Sequence, residues 1–239
     1  MWPVCKKELQ QFFSSLTGYI AITFFLLLTG AILFILPDNI FDFGYATLEK
    51  FFKIAPWILL ILIPAITMRS FADEFKTGTY ETLQTLPITR WQLINGKYFA
   101  ALIVVLIAII PTIVYPISLQ QLSATGGIDT GGTTGSYIGL ILLSACFVAI
   151  SICCSSLTNN AVVAFISSAF LCVLVYGAFA AISRIPAFEG GADYWLEMLG
   201  IDFHYQSISR GVIDTRDLVY FLSVIIFFLI ITHRNLVKR

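Results

Sequence analysis

Apolar residues run without a single charge over 18–36, 54–68, 98–119, 137–157, 161–183 and 218–232, and the polar residues collect between these runs. A bilayer core needs about 20 apolar residues at about 1.5 Å of rise each, so the pattern predicts membrane-spanning helices. Four of the six runs are long enough alone. The second borrows Phe51 and Phe52, with Lys53 reaching outward along its aliphatic stem. The sixth starts near Arg216. The predicted spans are therefore 18–36, 51–68, 98–119, 137–157, 161–183 and 216–232.

Ahead of the first span, Leu9, Phe12, Phe13 and Leu16 recur at helical spacing, while Lys6, Lys7, Gln10 and Gln11 take the other side. Residues 1–17 thus read as an amphipathic helix in the headgroup plane, with its apolar face in the acyl boundary and its lysines near lipid. Lys6 and Lys7 resemble the start of a signal peptide, but the apolar run ends at Pro37 without a small-residue cleavage site, so it is expected to stay as an anchor. Residues 120–136 carry Gly126, Gly127, Gly131, Gly132 and Gly135 and read as a flexible loop. Residues 184–215 interleave Tyr194, Trp195, Met198, Leu199, Phe203 and Tyr205 with Glu197, Asp202 and Arg210, the pattern of short helices at the outer interface. Pro56, Pro64, Pro111 and Pro116 predict kinks, and Ser144, Ala145, Ala149, Ser151, Ser155 and Ser156 predict close helix contacts.

Only 12% of the 239 residues are charged and 58% are hydrophobic, against about 25% charged in soluble domains. The expected fold class is an all-α integral membrane protein with six transmembrane helices in one domain. Basic residues set orientation. Both termini inside puts nine Lys and Arg on that side (Lys6, Lys7, Arg69, Lys76, Arg90, Lys97, Arg234, Lys238 and Arg239) and five outside, so the termini and 69–97 are expected in the cytoplasm and the chain in the cytoplasmic (inner) membrane. Arg90 and Lys97 are expected to mark the inner boundary of the third span. Cys5, Cys146, Cys153, Cys154 and Cys172 lack metal-type spacing and read as small buried side chains. His204 and His233 read as interfacial and tail residues. No metal site and no nucleic-acid partner is expected.

The missing chemistry is informative. No charge lies inside the six apolar runs, which disfavours a proton-coupled carrier, and no HisGluXaaXaaHis or other catalytic set supports a protease or a lipid-acting enzyme. Gly96 and Lys97 are followed by Tyr98, so they do not complete a phosphate-binding loop, and the outer glycines lack a GlyLysSer or GlyLysThr. If the chain drives transport, the energy must come from a partner.

The 69–97 segment is the candidate contact with that partner. Thr89 and Gln92 have capping-box spacing and Pro87 stops the element before them, predicting a helix from Arg90 through Trp91 and Tyr98 into the third span. Residues 79–86 form a short helix with Tyr80, Leu83 and Leu86 on one edge, capped by Thr79 after the permissive Gly78. The second span continues outward through Phe71 and Phe75. A rigid knuckle results.

Glu74, Gly78, Thr79, Glu81, Leu83, Pro87, Ile88, Thr89, Gly96 and Lys97 resemble the pattern between the second and third membrane helices of ABC-2 type transporter permeases. The likeness extends to the basic amphipathic start with Lys6, Lys7 and Glu8, the six spans and the outer segment. The run 209–214 and the short tail are similar to the gliding-motility-associated, GldF-like branch. The resemblance implies that 79–86 is a coupling helix seated on a cytoplasmic ABC ATPase subunit, with ATP and magnesium held there and no cofactor bound by this chain. It also implies a second permease subunit, as homodimer or heterodimer. Glu74 and Glu81 are expected as polar contacts, Tyr80 and Leu83 as apolar anchors, Gly78 as the turn and Thr79 beside it; Lys6, Lys7, Phe12, Phe13, Trp91 and Trp195 are expected at the membrane interface. The rival reading is a membrane scaffold that recruits a soluble protein with the same knuckle.

Overall fold

A computed structural model describes residues 1–36, 47–123, 127–185, 192–211 and 214–238. Pro37, Gly126, Val212, Ile213 and Arg239, used in the readings above, lie outside the described residues, as does 186–191 of the outer segment.

The described residues are helical throughout their regular structure: α1 (Trp2–Phe13), α2 (Leu16–Phe34), α3 (Glu49–Thr67), α4 (Arg69–Thr77), α5 (Thr79–Gln84), α6 (Arg90–Ile109), α7 (Val114–Leu122), α8 (Thr130–Leu157), α9 (Ala161–Val173), α10 (Phe179–Ser183), α11 (Ala192–Glu197), α12 (Ile201–Ser209) and α13 (Thr215–Lys238). Five stretches are long and apolar enough to cross a membrane: Glu49–Thr77, Arg90–Leu122, Thr130–Leu157, Ala161–Ser183 and Thr215–Lys238. Trp2–Phe13 and Gly18–Phe34, bent by 73° to one another, pass the same test only when taken together, giving six stretches if the pair is one span. The fold is an all-α, multi-pass membrane bundle.

Two spans are much longer than a bilayer needs. Glu49–Thr77 has 29 residues, whereas about 20 suffice, so one end must stand clear of the hydrocarbon. Its one break, at Met68, is closed by α8: Ser155 Oγ donates to Met68 O at 3.1 Å and accepts from Phe71 N and Ala72 N at 3.1 and 3.3 Å. A hydroxyl thereby replaces missing helical bonds, and α4 continues the direction of the span instead of fraying. In the third span, a 3-10 turn at Ile110–Ile113 carries Pro111 and joins α6 to α7.

The centre of the bundle is α8, whose Gly139, Ser144, Ala145, Cys146, Ser151 and Ser155 are all buried. It begins inside the stretch expected to be a loop. Asp129 caps it, accepting from Gly132 N at 3.0 Å, and Gly135 lies where a Cβ would come within 2.9 Å of Ile208 O. Glycine here serves close packing beneath α12. All five cysteines are free and buried.

Candidate functional site

The knuckle is built as the sequence predicts at its two ends. Gly78 ends α4 with φ 70°, a left-handed conformation that costs little only without a Cβ. Past α5, Thr89 Oγ1 accepts from Gln92 N at 3.3 Å while Gln92 Oε1 accepts from Thr89 N at 3.1 Å, so both halves of the capping box start α6. Thr79 is not the cap of α5 but its first residue, its hydroxyl 3.0 Å from that of Thr77.

Between these ends, the αL turn folds α5 back onto α4, and this changes which face is offered. The Tyr80 ring lies edge-on to Phe75 at 5.0 Å, Phe75 stacks on Phe71 at 5.9 Å, and Tyr80 is buried. Leu83 is half-buried against the hydrophobic core to which Tyr80 and Phe71 belong. Tyr80 and Leu83 thus seat the short helix on its own chain, and Tyr80 is not free as an anchor for a partner. The exposed face carries Thr79, Glu81, Thr82 and Leu86.

Beneath the knuckle lies an ion cluster. Lys97 Nζ donates to Glu74 Oε1 and Glu8 Oε1, each at 2.8 Å, and to Ser70 O at 2.6 Å, which uses all three ammonium protons. Its side chain is fully enclosed and stands 4.9 Å from the centroid of the Phe71 ring. Lys7 Nζ also reaches Glu74 Oε1, at 3.2 Å, and Glu8 Oε1 at 3.7 Å. Two ammonium groups thus face two carboxylates, while Glu74 Oε2 has no hydrogen-bond partner among the described residues. Lys97 is therefore not a snorkelling boundary residue, and Lys7 does not simply face lipid. Lys97 is enclosed, and its buried charge requires this pairing; Lys7 stays about half exposed while reaching the same carboxylates.

The cluster joins three elements distant in sequence: α1, the α4 extension of the second span, and the start of the third. Gly96 makes this approach possible, since a Cβ there would lie 2.8 Å from Val4 Cβ and 3.1 Å from Met1 O. Val4 and Cys5 are accordingly the buried face of α1, whereas Phe12 and Phe13 are half-buried and Lys6 is exposed. Arg90 is exposed, and Trp91 stacks on His233 at 4.6 Å and 10°, which ties the end of α13 to the knuckle end of the bundle. Both described ends of the chain are at that end.

The opposite end differs in chemistry. Trp195 is exposed there, and a cavity of about 900 Å3 is lined by Trp57, Tyr176, Asp202, Tyr205 and Arg210 among others. Tyr176 belongs to a π turn, Leu174–Ala178, that interrupts the fifth span. His204 is buried within the fold: Nδ1 is 2.6 Å from Asp217 Oδ1 and Nε2 is 2.9 Å from Met198 O, with Tyr220 stacked at 3.9 Å. It clamps α12 to α13.

Sequence reasoning missed the clusters at Lys97 and His204 because their members come from separate segments. Glu74, Gly96 and Lys97 did stand in the permease-like pattern; what it lacked was their pairing. Among the described residues no group of His, Cys, Asp and Glu is arranged to hold a metal ion. A family model described as "ABC-2 family transporter protein" matches residues 2–193. A comparison with curated proteins gives no match.

Proposed function

The chain belongs to the ABC-2 family of transporter proteins, and on that premise we propose that it is the membrane-spanning subunit of an ATP-driven exporter whose coupling helix is α5. The family is one of permeases, non-catalytic in themselves, and membership implies a partner ATPase subunit. In the proposed arrangement the knuckle and both termini lie in the cytoplasm, the chain sits in the cytoplasmic membrane beside a second permease subunit, and ATP and magnesium bind to the partner.

The observation that carries this reading is the mounting of α5. Its outer face presents Thr79, Glu81 and Thr82 to solvent, while Tyr80 and Leu83 fix its inner face to α4. A push on that face enters α4, which prolongs the second span, and the Lys97 cluster passes it to α1 and α6. The far end of the second span, at Phe52 and Trp57, borders the outer cavity. Movement delivered at the knuckle can thus bear on that cavity without chemistry in this chain. The ATPase must contact α5 differently in its open and closed states, because only differential contact shifts an equilibrium. Glu81 is the proposed polar contact and Gly78 the turn; Glu74 supports them from inside. The gliding-motility branch rests on 209–214 and the short tail and adds nothing to this mechanism.

Co-purification in mild detergent tests it. The native chain is expected to bring down a protein that hydrolyses ATP, and Glu81→Arg to lose it by about ten-fold or more while helix content is unchanged. Retention of the ATPase by Glu81→Arg and by Gly78→Pro would sink the coupling role. Recovery of a non-ATPase soluble protein instead would favour the scaffold reading.

A further inference from the structure

A cavity of about 560 Å3 opens between α1, α2, the second span and α6, directly beside the Lys97 cluster. Its wall includes Ala21, Ala65 and Ala101, one from each of three helices and each half-exposed, so small side chains leave an open trough between the helices. Its polar rim includes Arg69, Asp73 and Glu74. Lys97 and Lys7 are already engaged with Glu74 and Glu8, but no hydrogen bond or ion pair joins the Arg69 guanidinium or the Asp73 carboxylate to a described residue. These two stand four residues apart on α4, a spacing at which opposite charges commonly pair, and remain apart. Glu74 beneath them is about nine-tenths buried, with Oε2 also unpartnered.

We propose that this cavity binds a phospholipid of the bordering leaflet whose head group carries a primary ammonium, as in phosphatidylethanolamine. The order of groups along α4 matches the order along the lipid. Arg69 lies nearer the membrane, level with a phosphate, and Asp73 lies one turn, about 6 Å, further out, where the ammonium follows the phosphate. Arginine binds phosphate through its forked donors, and a carboxylate binds an ammonium through charge-assisted hydrogen bonds. Three positive side chains (Lys7, Arg69, Lys97) and three negative ones (Glu8, Asp73, Glu74) line the cavity, so its field suits a group bearing both signs better than a net anion. The acyl chain occupies the alanine trough. The volume falls within the roughly 300–1,000 Å3 typical of small-ligand sites.

Native mass spectrometry of the full-length, detergent-purified chain tests this without any ATPase, so its outcome is separate from that of the coupling proposal. Given equimolar phosphatidylethanolamine, phosphatidylcholine and phosphatidylglycerol, the chain is expected to retain the first over the others by about ten-fold, as a charge-assisted hydrogen bond worth about 1.4 kcal/mol implies. Choline offers no N–H and glycerol no cation. Asp73→Asn is expected to remove the preference, and Ala101→Phe to remove retention itself. Equal retention of the three lipids, a preference for phosphatidylglycerol, or an unchanged preference in Asp73→Asn overturns the proposal. Asp73→Asn alters an unpaired polar group, so it keeps the test decisive if Ala101→Phe fails to fold.

Discussion

An enclosed lysine ammonium is tolerated at position 97 because every proton it carries has an acceptor: Glu74, Glu8 and the Ser70 carbonyl. Desolvating such a charge is expensive, and it is the partners that make it acceptable. Lys97→Met leaves two carboxylates facing one half-exposed lysine, and is expected to lower stability by about 3–5 kcal/mol, with much of the loss recovered in Lys97→Met/Glu74→Met. Thermal unfolding of the three proteins in one detergent measures this; a single variant as stable as the parent would mean that the cluster holds nothing together. Gly78 and the Thr89 box illustrate the opposite case, since their roles follow from local backbone chemistry and were readable in advance.

The elements divide in the same way. A helix announced by a cap, such as α6 after Thr89, begins where the sequence predicts, and the second span, expected over 51–68 and on through Phe71 and Phe75, is helical from Glu49 to Thr77. The glycine-rich stretch before the fourth span reads as a loop because glycine lowers helix propensity, but close packing against Ile208 outweighs that cost. Similarly, α1 reads as a helix floating on lipid, whereas its Val4 and Cys5 pack on α6 through the space left by Gly96. Periodicity reveals that a helix has a face; it does not reveal a second face claimed by a distant glycine. Cys5 reports on that contact directly. It is 1% exposed, and burial, then the Glu8 carboxylate, push its thiol pKa up, so a maleimide is expected to label it slowly in the native chain. Peptide mapping after labelling should show Cys5 modified readily in Lys97→Met, because α1 loses its tie to the bundle. Equal labelling in both proteins would show that α1 is not held by the cluster.

Over the whole molecule, the membrane class, the long apolar helices and the helix–turn–helix course of 69–97 are legible because each is written in contiguous residues. The junction of Lys7, Glu8, Glu74 and Lys97, the Ser155 splice at Met68 and the His204 and Asp217 clamp were not, because each brings together side chains that folding alone makes neighbours. Those junctions make the knuckle a part of the bundle and not a loop attached to it, and the coupling proposal depends on that. The most direct test places a photo-crosslinking amino acid at Glu81 in the full chain, in native membranes, with a second protein carrying it at exposed Trp195 on the opposite end. The crosslinked product at position 81 is expected to contain a protein with a GlyXaaXaaXaaXaaGlyLysSer or Thr motif, in a yield that changes when ATP is trapped, and position 195 is expected to give no such product. A folded chain that captures no nucleotide-binding protein from position 81, or captures it equally with and without trapped nucleotide, would contradict the claim that α5 receives the force of ATP binding.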